Sequence, residues 1–169
     1  MDLAFRPATL DDAPRIADLR RAVADDLTER YGKGHWSFAG TEKGVLHDIK
    51  TSRIVVAENT TRMIATLRLA TRKPWAIDTK YFRDCGTPLY LTTMAVDPGM
   101  QRRGIGRRCI DHARYIAEEW PADAIRLDAY DAPAGAGEFY LKCGFREVGR
   151  VSFKGNPLVY LEMSLSDSS

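Results

Sequence analysis

Val96-Asp97-Pro98-Gly99-Met100-Gln101-Arg102-Arg103-Gly104-Ile105-Gly106-Arg107-Arg108 is the stretch on which the fold turns. Before it, Leu89-Tyr90-Leu91-Thr92-Thr93-Met94-Ala95-Val96 is apolar and β-rich and reads as a strand. After it, Ile105, Cys109, Ile110, Ala113, Ile116, Ala117 and Trp120 recur every three or four residues. That spacing predicts a helix from about Gly104 to Glu119, stopped by Pro121. Asp97-Pro98-Gly99 is the turn between them. Two glycines stand at the helix entrance, where backbone approaches something closely or turns unusually. The leading N–H groups of a helix lack intrahelical acceptors and lie at the positive end of its dipole, an arrangement that binds phosphate. Four arginines and no acid among residues 101–108 add forked donors that suit phosphate oxygens. The chemistry asks for a ligand with adjacent phosphates. A Walker loop would need Gly-Lys-Ser/Thr, and a dinucleotide fingerprint a third glycine where Cys109 stands.

Outward from that stretch, Leu3 to Arg6 reads as a strand closed by Pro7. Thr9 or Asp11 caps a helix whose apolar positions are Ala13, Ile16, Ala17, Leu19, Ala22, Val23 and Leu27. Residues 31–36 break it, and a second helix covers Glu42 to Lys50. Arg53 to Glu58 and Met63 to Ala70, the latter alternating apolar and polar, form a hairpin about Asn59-Thr60-Thr61. A long link, 71–88, precedes the central strand. Ile125 to Tyr130 is the next strand, followed by a short helix over Gly137 to Lys142, with Gly144 just past its end. Phe145 to Val151 and Leu158 to Leu165 make a last hairpin about Gly155-Asn156-Pro157. The order β-α-α-β-β-β-α-β-α-β-β predicts an α/β (α+β) fold. Its mixed sheet has about seven strands, flanked by about four helices, with one parallel crossover from Leu89 to Tyr130.

The chain has 169 residues, room for one domain, expected over 1–165 with a frayed tail at 166–169. Hydrophobic residues make up 44% and charged residues 28%, a balance that excludes disorder of the bulk. No apolar run is long enough to span a membrane. The start, Met1-Asp2-Leu3-Ala4-Phe5-Arg6, does not read as a signal peptide, so a cytoplasmic location is expected. A net charge of +2 weighs against a dedicated nucleic-acid binder. Cys85, Cys109 and Cys143 match no zinc or redox spacing, so no metal is expected and all three read as reduced thiols.

Gln101-Arg102-Arg103-Gly104-Ile105-Gly106 resembles the Gln/Arg-x-x-Gly-x-Gly/Ala signature of the GNAT superfamily, the acetyl-CoA-dependent N-acetyltransferases. Glu138-Phe139-Tyr140-Leu141-Lys142-Cys143-Gly144-Phe145 is similar to that family's Phe-Tyr-x-Lys-x-Gly-Phe segment. The element order agrees over nearly the whole chain. The resemblance implies a single GNAT-like domain with acetyl-CoA (coenzyme A) as cofactor. Backbone of Met94, Ala95 and Val96 would hold the pantetheine arm, and Gln101, Arg102, Arg103, Gly104, Ile105, Gly106 and Arg107 would surround the pyrophosphate. Tyr140 would stand at the sulfur as catalytic acid, because an unperturbed phenol is protonated at neutral pH. Lys142 would reach toward a cofactor phosphate. Pro133 stands where the family often carries a cofactor-contacting asparagine.

For the acceptor, the resemblance points to the link between the first two helices, the link before the central strand, and the last hairpin. Tyr31, His35, Trp36, Trp75, Tyr81 and Phe153 lie there, and they suggest a small-molecule amine or amino-acid-like acceptor rather than a polycation. Glu58, Tyr90, Asp128, Asp131 and His35 are all open as the general base. Relatives pair through their sheets or last strands, which makes a homodimer an expectation by analogy. The rival expectations are a non-catalytic acyl-CoA-binding or regulatory module on the same fold, and a protein or peptide N-acetyltransferase.

Overall fold

The computed structural model describes residues 2–165; the expected frayed tail, 166–169, lies outside the described residues. The strands are β1 (Ala4–Pro7), β2 (Arg53–Glu58), β3 (Met63–Ala70), β4 (Pro88–Val96), β5 (Ala124–Tyr130), β6 (Arg146–Phe153) and β7 (Asn156–Ser164). The α-helices are α1 (Ala13–Tyr31), α2 (Glu42–Thr51), α3 (Ile105–Glu119) and α4 (Gly137–Lys142). The strands form one seven-stranded sheet in the order β1-β2-β3-β4-β5-β7-β6. β4 and β5 run parallel, pairing Pro88, Leu89 and Tyr90 with Ala124, Ile125 and Arg126. The ladders β1–β2, β2–β3, β5–β7 and β6–β7 are antiparallel. The chain divides into two compact units, Met1–Leu69 with Thr92–His112 and Ala70–Leu91 with Ala113–Ser169.

In the first unit a short 3-10 turn over Leu10–Asp12 precedes α1, and the Thr9 amide donates to Asp12 Oδ2 at 2.7 Å. Pro14 occupies the first turn of α1, where its missing N–H is not needed. Gly32, at φ +83°, ends the helix, and its amide donates to the Thr28 carbonyl at 2.8 Å. Thr41 caps α2 by accepting from the Gly44 amide at 3.0 Å. Ala13, Ile16 and Leu19 of α1 and Val45 of α2 pack on Ile54, Val56, Met63 and Ala95 of the sheet. Each fully buried isoleucine or valine side chain here contributes about 1.5–3 kcal/mol.

Three expectations are corrected. Ala24, not Ala22, is buried on α1, because the inward stripe runs through residues 16, 20 and 24. β3 is buried on both faces except at Arg68, so it is an interior strand and not the half-exposed one its alternation suggested. The last hairpin turns at Lys154 (φ +50°) and Gly155 (φ +82°), with Asn156 and Pro157 already in β7. Paired left-handed residues match the strand twist, and Pro157 sits near the strand's start, where a missing donor is tolerated.

In the second unit Tyr160 is fully buried among Ile77, Phe82 and Tyr90. Its hydroxyl donates to the Ala76 carbonyl and accepts from the Asp78 amide, which fastens the long link to β7. Gly149 lets the Tyr81 ring approach: a Cβ there would stand 2.5 Å from Tyr81 Cδ1.

Candidate active site

β4 breaks its own geometry at Thr93. The residue sits at φ +47° inside a strand, a strained conformation for a β-branched side chain, and that side chain is exposed. Met94, Ala95 and Val96 follow, with Ala95 buried. The strand end is then tied down on all sides. The Asp97 amide donates to the Ile64 carbonyl at 2.8 Å. The Asp97 carboxylate accepts from the Gly99 amide at 2.8 Å and pairs with Arg62 at 2.7 Å. Gln101 Nε2 donates back to the Val96 carbonyl at 3.1 Å, so this side chain fastens loop to strand, a role its sequence position did not disclose.

Two left-handed residues follow, Arg102 at φ +63° and Gly104 at φ +78°. Left-handed residues alternating with others tip backbone N–H groups toward one side and make a concavity for anions. The position a Gly104 Cβ would take has nothing within 4 Å, so the backbone there is open. Ile105 is buried and anchors the helix start. The Arg108 amide bonds the Gly104 carbonyl at 3.2 Å, and the amides of Ile105 and Gly106 lie ahead of that first intrahelical bond. The side chains of Arg102, Arg103, Arg107 and Arg108 are exposed around them. Open backbone, outward amides, a helix dipole and four guanidinium groups fit a diphosphate.

In the second unit, α4 holds Tyr140 half-buried, its ring edge-on to Phe139 (5.2 Å) and Phe145 (5.5 Å). Gly144, at φ +100°, ends this helix as expected. Pro133 serves a turn in which the Gly135 amide donates to the Ala132 carbonyl at 2.8 Å. A Cβ on Gly135 would fall 1.8 Å from the Tyr130 carbonyl oxygen, so this turn is packed tightly against the end of β5. Lys142 is exposed on the last turn of α4.

Residues 50–147, more than half of the chain, match the family model of the acetyltransferase (GNAT) domain. The chain belongs to the GNAT acetyltransferase family. GNAT domains bind acetyl-CoA. The fold is similar to that of a GNAT-family acetyltransferase from Listeria monocytogenes, with TM-score 0.76, 18% identity and coverage of 96% of this chain and 95% of that one. It is also similar to a putative acetyltransferase from Salmonella typhimurium solved with its cofactor acetyl-CoA, with TM-score 0.72, 13% identity and coverage of 99% and 96%. A third likeness is the ribosomal-protein-S18-alanine N-acetyltransferase from Escherichia coli, with TM-score 0.72, 16% identity and coverage of 99% and 97%. At these identities the likeness is one of fold. No curated protein matches the sequence.

Among the candidate bases of this GNAT chain, most carboxylates are already engaged. Glu58 accepts from Arg6 at 2.8 Å, which holds its carboxyl below the usual range. Asp131 is paired with Arg150 at 3.0 Å. The Tyr90 hydroxyl is buried beside Arg126, 3.2 Å away. Asp128 differs: it is half-buried on β5, and burial pushes its carboxyl up. His35 is exposed in a 3-10 turn.

The expected acceptor residues divide between the two units. Tyr31, His35 and Trp36 belong to the first, where Trp36 Nε1 donates to the Gly32 carbonyl at 2.9 Å and the Arg30 guanidinium lies over the Tyr31 ring. Trp75, Tyr81 and Phe153 belong to the second. Trp75 is 84% exposed, Tyr81 lies edge-on to Tyr160, and Phe153 lies beneath Lys154 Nζ. The sequence reading missed Phe38, which is 82% exposed, and the polar cluster of Arg20, Asp48 and Arg68. Among the described residues no helix is long and apolar enough to cross a membrane, and no cluster could hold a metal ion.

Proposed function

We propose that this chain acetylates the primary amine of a small, amino-acid-like acceptor by direct attack in a ternary complex with acetyl-CoA. The observation that carries the proposal is the open anion concavity at Arg102–Gly106, tied to the end of a strained central strand. Acetyl-CoA, when bound there, supplies an acyl group activated as a thioester. The backbone of Met94 to Val96 follows the break at Thr93, and its amides would donate to the acyl oxygen as charge builds on it. One such donor is worth about 3 kcal/mol. The acceptor arrives as an ammonium and must lose a proton before it is a nucleophile. Asp128, half-buried on β5 with its carboxyl raised by burial, would be the candidate to take that proton. The Tyr140 hydroxyl would hold the proton needed at the departing sulfur.

The test is thiol release from acetyl-CoA by the purified chain against a panel of primary amines. Tyr140→Phe is expected to slow turnover about a hundredfold, the low end of what a positioned acid supplies, and to leave coenzyme A affinity nearly unchanged. Unaltered turnover removes Tyr140 from the chemistry. The turn at Pro133 keeps a second reading in play, a binding module without turnover. Thermal stabilisation by coenzyme A with no thiol release on any amine favours that reading.

A further inference from the structure

α1 carries a charge where its spacing calls for an apolar residue. Ile16, Arg20 and Ala24 succeed each other at four-residue steps, and Ile16 and Ala24 are buried. The Arg20 side chain is only 9% exposed. Its Nη2 donates to the Thr93 hydroxyl at 2.9 Å, at the strained and exposed break in β4. Its Nη1 stands 3.8 Å from Asp48, too far for a hydrogen bond. Its Nε is buried with no partner. Arg68, from β3, comes to the same carboxylate, again at 3.8 Å, and donates to the Ser52 hydroxyl at 2.7 Å and toward the Thr92 hydroxyl at 3.4 Å.

Two guanidinium groups therefore share one loosely held carboxylate, and the cluster keeps a net positive charge. A buried cation with an unpaired donor is costly, and the cost falls when an anion completes it. Fork-shaped donors match a carboxylate edge to edge. The hydroxyls of Thr92 and Thr93 add donors on β4, in the two residues that precede the amides of Met94 to Val96.

We propose that Arg20 and Arg68 form the acceptor's anion subsite, and that the amine this protein acetylates belongs to a molecule carrying a free carboxylate, a free amino acid in the simplest case. The subsite rests on the acetyl-transfer reading above and deepens it. A carboxylate held there fixes one end of the acceptor and leaves its amine to reach the β4 break.

The experiment measures thiol release with matched acceptors: an α-amino acid, its amide, and a short peptide amide with the same N-terminal residue. The amide's amine is the weaker base and is more often neutral, so the amide is the better acceptor unless the carboxylate is recognised. The acid is expected to win by at least about tenfold in kcat/KM, the scale of a charged hydrogen bond. Arg68→Lys, which keeps the charge and loses the fork, is expected to raise KM for the acid about tenfold and to leave KM for the amide unmoved. Arg20→Lys adds a second such comparison, and the wild-type panel needs no variant to fold. Equal kcat/KM on acid and amide, or a preference for the peptide amide, overturns the subsite while acetyl transfer stands. No thiol release with any acceptor overturns the acetyl-transfer reading, and the subsite falls with it.

Discussion

Arg126 and Glu162 test how much of the second unit rests on one buried ion pair. Arg126 Nε donates to Glu162 Oε2 at 2.9 Å, and the two side chains are 5% and 3% exposed. The same guanidinium donates to the Tyr90 hydroxyl at 3.2 Å and to the Arg83 carbonyl at 2.6 Å, and lies over the Phe82 ring. Arg126→Met removes all of this and leaves Glu162 buried, with an Oε1 that already has no partner. Stranding a buried charge costs about 3–5 kcal/mol. For a chain of this size, that is a fall in Tm of roughly 6–20 °C. Urea unfolding at pH 7, followed by tryptophan fluorescence, reads the size of the loss. Replacing both residues by methionine is expected to recover most of the loss, since no charge is left to bury. A single variant within about 1 kcal/mol of wild type at pH 7, or a double variant no better than the single, refutes the reasoning.

Gly104→Ala places a Cβ on a residue at φ +78°, where the space is open but the conformation costs about 1–2 kcal/mol. Coenzyme A should bind about tenfold more weakly by calorimetry, while an unchanged Kd would remove the concavity from the diphosphate site. Asp12, buried beneath two arginines, accepts from Arg6 at 2.8 and 2.9 Å and from Arg15 at 2.7 Å, and Arg6 above all holds its carboxyl well below the usual range. Its contribution is therefore full above the ordinary carboxylate pKa and is lost as pH falls below it, so Asp12→Asn should cost about 2 kcal/mol at neutral pH and progressively less in acid. Burial pushes the Cys109 thiol up to about 12. Iodoacetamide should leave it unlabelled in the folded protein at pH 7.5 and label it once urea unfolds the chain; fast labelling of the native state would contradict its placement in the core.

The fold was legible because its periodicities are local. Every strand and α-helix expected from apolar spacing is present, since Ile105, Cys109, Ile110 and Ala113 state a helical face without help from elsewhere. The errors fall where neighbours decide. β3 reads as alternating, yet its burial on both faces depends on strands and helices distant in sequence. The last hairpin was misplaced because Gly-Asn-Pro is a strong turn signal, whereas the ladder pairing Phe153 with Asn156 leaves Lys154 and Gly155 to make the turn.

The site was legible where it is backbone and obscure where it is side chain. Gly104 and Gly106 announce an exposed helix entrance, and Arg102 and Gly104 then supply the left-handed geometry such an entrance needs. Thr93 carries no comparable mark, because threonine is an ordinary strand residue. The Arg20 cluster had a signal that apolar counting passes over. An arginine at the inward step between Ile16 and Ala24 violates the helix's own pattern, and the structure shows it buried with an unsatisfied Nε. Thr93, Arg102 and Arg20 each break a local rule, and Arg20 bonds Thr93 directly. A sequence selected for stability alone has no use for an inward guanidinium aimed at a strained strand. The two departures explain each other if the break in β4 admits a ligand and the cation meets one end of it, which is why the acid-versus-amide comparison bears on the whole site and not on one residue.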